Sequence, residues 1–236
     1  MKIATGIEML TVRTPDQGQI RPVHPTLVYD KHEAILIDSG FPGQGNAILE
    51  AISQSGIPMG RIKKLVITHQ DLDHIGSIRE LQKNQDLEIM AHHEEIKYIE
   101  GKVLPHKLAK FENYGGDIPA NEQNKFERLR TGFQQAYVDV QTPLEDGQDI
   151  GLGLTVIHTP GHTDGHICLY HQPSKTLIAG DLFFLEDGKL GMPASELNVC
   201  CAQARESALK LKAFDIRQII TYHDGLYKGA PDPTIL

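Results

Sequence analysis

Four metal-capable side chains, His69, Asp71, Asp73 and His74, fall within six positions of the run Leu65-Val66-Ile67-Thr68-His69-Gln70-Asp71-Leu72-Asp73-His74. This crowding limits what the chain can fold into more than any other stretch. Leu65, Val66 and Ile67 predict an apolar strand; Ile75, Ile78 and Leu81 recur at helical spacing and predict a helix reaching about residue 84. Two imidazoles and two carboxylates gathered at a strand end repel one another and lose water at a cost, unless a cation collects them. A divalent metal meets that requirement. Imidazole mixed with carboxylate suits Zn²⁺, Fe²⁺ or Mn²⁺, whereas Ca²⁺ prefers oxygen alone. In an irregular loop, residues two apart can face one side, so His69, Asp71 and Asp73 can converge. The plain alternative is a polar loop in which Asp73 caps the helix.

At 236 residues the chain is long enough to bury a substantial core. No linker-like run interrupts it, so one domain spanning 1–236 is expected. A formal charge of −8 and a pI near 5.8 speak against nucleic acid as a partner, because phosphate binding needs a concentrated basic face. No apolar run approaches the roughly 20 residues of a membrane span, and Met1–Gly6 does not read as a signal peptide. A soluble, cytoplasmic protein acting on a small molecule is expected. Oligomeric state is not legible, a homodimer being one arrangement the chain allows. Cys168, Cys200 and Cys201 read as reduced thiols, and no CxxC spacing marks them as ligands.

In chain order, Ile7–Val12 and Thr26–Tyr29 predict strands, Ala34–Gly40 predicts a buried strand ending in a turn, and 46–55 predicts a helix ended by Gly56. Residues 87–91 predict a short strand. From about 92 to 140 the pattern loses regularity and reads as a helical insertion or flap of the kind that carries selectivity on a rigid scaffold. Strands follow at 155–159, 167–170 and 176–179, then a helix at 200–212 and a last strand at 218–222. Two strand-rich halves, each with helices, imply an α/β fold with two sheets face to face and helices outside: a four-layer αββα sandwich.

More ligand types stand at the later strand ends. His162 lies in Pro160-Gly161-His162-Thr163-Asp164-Gly165-His166, Asp181 follows Gly180, and His223 precedes Asp224-Gly225. Together with the first cluster this resembles the metallo-β-lactamase superfamily, whose pattern is His-x-His-x-Asp-His followed by a distant His, an Asp and a last His. The resemblance extends from the Leu36-Ile37-Asp38-Ser39-Gly40 strand to His223. It implies that His69, Asp71 and His162 hold one metal, that Asp73, His74 and His223 hold a second, and that Asp181 bridges them. Asp71 departs from the pattern, which has His there. An aspartate can ligate zinc, but its charge makes the site more accepting of Mn²⁺ or Fe²⁺, so two Zn²⁺ per chain are expected with those ions as alternatives. Two metals roughly 3.5–4 Å apart can hold a hydroxide near neutral pH and polarise an electrophilic oxygen. Asp73 is then the residue expected to orient the nucleophile.

His92, His93, His106, His158 and His171 are expected in surface or supporting roles. His166, four residues beyond His162, can orient that ligand. Asp38 reads as a structural or supporting residue and Tyr222 as core packing. The function this implies is a metal-dependent hydrolase cleaving an ester, thioester or lactone. The third motif resembles that of glyoxalase II, but the thirteen residues after His223 leave no room for its helical domain. The layout is nearer the acyl-homoserine lactonase branch, although Phe183 and Phe184 stand where that branch has a tyrosine after the bridging Asp. The alternatives are a non-haem iron oxidoreductase, such as a persulfide dioxygenase, and a phosphodiesterase.

Overall fold

Residues Ile35, Leu36 and Ile37 are all buried, as are Leu65, Val66 and Ile67, because each strand has a covered layer on both faces. The computed structural model describes residues 1–13, 22–83 and 85–231. Its first sheet has seven strands in chain order: β1 (Lys2–Ala4), β2 (Ile7–Met9), β3 (Thr26–Tyr29), β4 (Ala34–Ile37), β5 (Ile62–Ile67), β6 (Glu88–His92) and β7 (Thr142–Leu144). Pairing is antiparallel up to β4 and parallel from β4 to β7. The second half supplies β8 (Leu154–His158), β9 (Ile167–His171), β10 (Thr176–Ile178), a small hairpin of β11 (Phe184–Glu186) and β12 (Lys189–Gly191), then β13 (Gln218–Thr221) and β14 (Gly225–Lys228). Its five-stranded sheet has the order β14-β13-β10-β9-β8.

Side-chain alternation assigns the layers. Leu36, Leu65, Ile67 and Ile89 face α1 (Gly45–Ser55), α3 (Ile78–Gln82) and α6 (Ala120–Ala136), packing with Ile48, Ile52, Ile78 and Phe133. Ile35, Ile37 and Val66 point the other way and meet Val156, Leu169, Ile178 and Ile220 of the second sheet. That sheet's far face, with Ile157, Cys168, Leu177 and Ile219, is covered by Ala208 of α7 (Cys201–Lys210) and by Leu211 beyond it. The result is the expected αββα sandwich.

The expected single helix after the first metal-capable cluster is two: α2 (Leu72–Ile75) and α3. Ser77 breaks it by donating its hydroxyl to Phe41 O at 2.6 Å while accepting Gln44 N at 3.0 Å, an attachment to a neighbouring loop that competes with continued helix. The expected end near Asn84 lies outside the described residues. The strand expected over Ile7–Val12 is β2 and stops at Met9, with Val12 bridging to Val23 alone. The last long helix ends at Lys210 in a 3₁₀ turn, Leu211–Ala213. Between β6 and β7 the chain forms α4 (His93–Ile99), α5 (His106–Ala109) and α6. Among the described residues no helix is long and apolar enough to cross a membrane.

β9 is antiparallel to both neighbours and β13 is parallel to β10, so β8, β10 and β13 run the same way and their last residues lie at one end of the sandwich. The turn after β8 leaves little room: Gly161 has φ +131°, and a Cβ there would lie 2.2 Å from Ala204 N of α7. Gly161→Ala should therefore force α7 away and cost about 2 kcal/mol or more in unfolding free energy, measurable by urea denaturation.

Candidate metal centre

The chain leaves β5 at Ile67 and within two residues presents His69. Asp71 caps α2 through its backbone carbonyl, which accepts from His74 N at 2.9 Å and Ile75 N at 3.1 Å; its carboxylate makes no cap bond and stays available to the site. Asp73 lies inside the first turn, so the capping role considered for it is not what the fold shows. His162 comes from the loop after β8, Asp181 from that after β10 and His223 from the end of β13.

The seven residues converge as two groups. In the first, Asp71 Oδ2 lies 3.2 Å from His69 Nε2 and 3.0 Å from His162 Nε2. In the second, Asp73 Oδ2 lies 3.3 Å from His223 Nε2 and 3.9 Å from His74 Nε2. Asp181 joins them: its Oδ2 is 3.2 Å from His223 and 3.6 Å from His162, and its Oδ1 is 3.3 Å from His74. Despite these short distances, His69 Nε2, His74 Nε2 and Asp181 Oδ1 are buried and make no well-directed hydrogen bond. Buried polar atoms are rarely left so, and a shared cation among lone pairs accounts for them. The donor set of imidazoles and carboxylates fits Zn²⁺, Mn²⁺ or Fe²⁺.

Protonation follows from burial and neighbours. Burial, helped by His74, lowers His69 to about 4, leaving the neutral imidazole a metal requires. Burial alone would lift the Asp71 carboxyl, but Lys107, His162 and His69 hold it well below the usual range. Asp181 is likewise held low against burial by His223 and His74. Burial would lower His74, yet Asp38, Asp181 and Asp73 raise it well above the ordinary value.

A second ring of residues holds the first. Asp38, in the left-handed region at φ 61°, accepts from Thr68 N at 2.8 Å and lies 2.9 Å from His74 Nδ1, the supporting role expected of it. His166 supports a different residue from the one expected: its Nε2 accepts from Asp181 N at 3.0 Å while its Nδ1 meets Thr159 Oγ1 at 2.8 Å. Its partner is the Asp181 backbone because Gly180, at φ +51°, carries no Cβ to hold the ring off. Tyr222 is more than core packing. Its hydroxyl donates to Asp73 O at 2.7 Å and accepts from Gly40 N at 3.0 Å, with its ring 3.9 Å from that of His74. Phe184 stacks on His223 at 5.2 Å, and Asn198 Oδ1 lies 3.3 Å from His162 Nδ1.

Two supporting residues come from the insertion and carry no sequence signature. Glu95 of α4 accepts from Gln70 N and from Gly165 N, each at 2.7 Å, tying the loop of His69 and Asp71 to the loop after His162. Lys107 of α5 places Nζ 2.6 Å from Asp71 Oδ2, and the neighbouring His106 N donates to Gln70 Oε1 at 2.9 Å. Burial would lower the Lys107 ammonium, but Asp71, Asp73 and Asp181 carry it above its ordinary value. His92 and His171 are buried rather than on the surface. His92 stacks on His158 at 3.9 Å, and the exposed His93 pairs with Glu145 at 3.0 Å; ordinary stacking and surface ion pairing account for this group.

Residues 18–223 match the family model of the metallo-beta-lactamase superfamily, and the chain belongs to that superfamily. It is 27% identical over 236 residues to the probable metallo-hydrolase YflN of Bacillus subtilis, a match covering 93% of this chain and 84% of that one. The human acyl-coenzyme A thioesterase MBLAC2 is 27% identical over 181 residues, 70% of this chain and 58% of the relative. Among solved structures, the metallo-beta-lactamase family protein TTHA1429 from Thermus thermophilus superposes with a TM-score of 0.73 at 21% identity, over 97% of this chain and 76% of that one. These relationships establish a metallo-hydrolase fold.

Glu95 offers a direct check on the second ring. Burial pushes its carboxyl from an ordinary 4.5 up to about 7, against the two backbone N–H groups that lower it. An acid raised in the folded state contributes stability that is complete below its unfolded pKa and is lost as pH rises through the folded one. The stability of the metal-free protein relative to Glu95→Gln should thus fall by roughly 3 kcal/mol between about pH 4.5 and about pH 7, read by urea denaturation across that range. A difference independent of pH would mean the carboxyl titrates normally in the fold.

Proposed function

We propose that this protein is a metal-dependent hydrolase that cleaves an ester, thioester or lactone bond in a small molecule, with thioesters first. The observation that carries this reading is the convergence of seven metal-capable side chains from both sheets into two groups joined by Asp181. His69, Asp71 and His162 would hold one ion, Asp73, His74 and His223 another, and Asp181 both. Zn²⁺ is the first choice, with Mn²⁺ or Fe²⁺ favoured by the carboxylate at position 71. Divalent ions so held supply Lewis acidity and water that ionises near neutral pH.

The chain's own residues do the rest. Asp73, less enclosed than His69 or His74, is the carboxylate placed to orient the attacking water. Phe184 on His223 and α5 over Asp71 narrow the approach to the ligands. A cavity of about 410 Å³ lies within the insertion, lined by Leu104, Leu108, Phe111, Phe126 and Tyr137 together with the charged Glu112 and Arg130. Its apolar wall suits an acyl substituent, and a relative named as an acyl-coenzyme A thioesterase supports a thioester as the bond.

Elemental analysis of protein purified without added metal, run beside a panel of thioesters, lactones, esters and phosphodiesters, tests this. The expected result is about two ions per chain and turnover of acyl thioesters, with Asp181→Asn lowering kcat by about 100-fold or more at unchanged fold. One iron per chain without hydrolysis would overturn the proposal in favour of oxidoreductase chemistry. Turnover of phosphodiesters alone would overturn the choice of bond.

A further inference from the structure

The residue that departs from the superfamily pattern is also the one with a cation on it. Asp71 makes a third carboxylate among the seven candidate ligands, where the pattern has two. A bare extra charge enclosed at 1% exposure would be costly. The ammonium of Lys107 lies 2.6 Å from Asp71 Oδ2, the same oxygen that faces His69 and His162.

Two features separate this contact from an incidental surface ion pair. The lysine side chain is 33% exposed but its partner carboxylate only 2%, so solvent screens the pair poorly. The backbone of α5 is also anchored beside it: His106 N donates to Gln70 Oε1, and Gln70 N in turn donates to Glu95. Lys107 is thereby delivered to the residue next to Gln70 by main-chain geometry, and does not depend on a long side chain swinging in from solvent.

We propose that Asp71 and Lys107 act as one charge-neutral unit, in which the ammonium balances the carboxylate that stands where the superfamily pattern has a neutral imidazole. Lys107 is then a positioning residue acting through Asp71, and metal affinity at the first group is set by the pair. This rests on the ligand assignment made above. Its consequence has a sign: an ammonium beside a ligand oxygen repels the divalent ion that oxygen binds, so removing the charge should tighten metal binding, although a contact is lost.

The test is Zn²⁺ affinity of the full chain by chelator competition, with metal-free thermal unfolding run in parallel as a check on folding. Lys107→Met is expected to bind Zn²⁺ at least tenfold more tightly than wild type, and Lys107→Arg, which keeps the charge, within threefold of it. The double variant Asp71→His with Lys107→Met, neutral at both positions, is expected within threefold of wild type. Should Lys107→Met fail to fold, Lys107→Gln provides the second neutral side chain. Affinity in Lys107→Met or Lys107→Gln that is unchanged, or weaker than wild type, would overturn the charge-balance proposal, as would a double variant that departs from wild type as far as Lys107→Met does. If wild type binds no Zn²⁺, Mn²⁺ or Fe²⁺ at all, the ligand assignment itself is wrong, an outcome distinct from the first.

Discussion

One carboxylate sits where both halves of the sandwich meet. Asp181 lies within 4.0 Å of imidazoles from His69, His74, His162 and His223, which reach it from the ends of β5, β8 and β13 and from α2. Its own place is set from behind by its backbone N–H on His166 and by a glycine before it that allows the ring to approach. With its imidazoles neutral, as metal ligation requires, the cluster points nitrogen lone pairs at carboxylate lone pairs and offers no donor between them. The arrangement makes chemical sense as a receptacle for positive ions, and the sandwich is the scaffold that keeps it from relaxing.

What resists that relaxation is a shell of directed contacts, each tying a ligand to a different segment. Asp38 grips His74 and the strand end at Thr68, and Tyr222 grips Asp73 through its carbonyl. Glu95 closes the remaining gap between the loops of the two sheets by accepting one N–H from each. In a poorly solvated interior such bonds are strong when complete and expensive when broken, which explains why so many buried polar groups persist around the ligands.

The candidate ligands were legible in the sequence because they break a local rule: His and Asp at the ends of apolar strands have no reason to be there in an ordinary core. His69, Asp71, Asp73, His74, His162, Asp181 and His223 all stand out that way, and the alternation of strands and helices was enough to place them in two facing sheets. The supporting residues obey local rules and so were silent. Lys107 reads as one basic residue among many in a polar insertion, Glu95 as a helix residue, and Tyr222 as strand packing. Their roles come from what lies across the fold, at a separation of 149 residues for Tyr222 and Asp73. His166 drew notice by its spacing from His162, but the spacing could not show that the chain turns to set it under Asp181. The break between α2 and α3 was invisible for the same reason, since it depends on a serine reaching a neighbouring loop.

The distribution of the candidate ligands along the chain bears on the order in which the site can be assembled. Residues 69 to 74 lie together in one stretch, but the acid that joins the two groups is at position 181 and the last imidazole at 223. An ion meeting the nascent first sheet finds part of each coordination set and nothing to unite them. The complete set exists only once β13 lies beside β10, so any discrimination among metals would be a property of the assembled sandwich and of neither sheet alone.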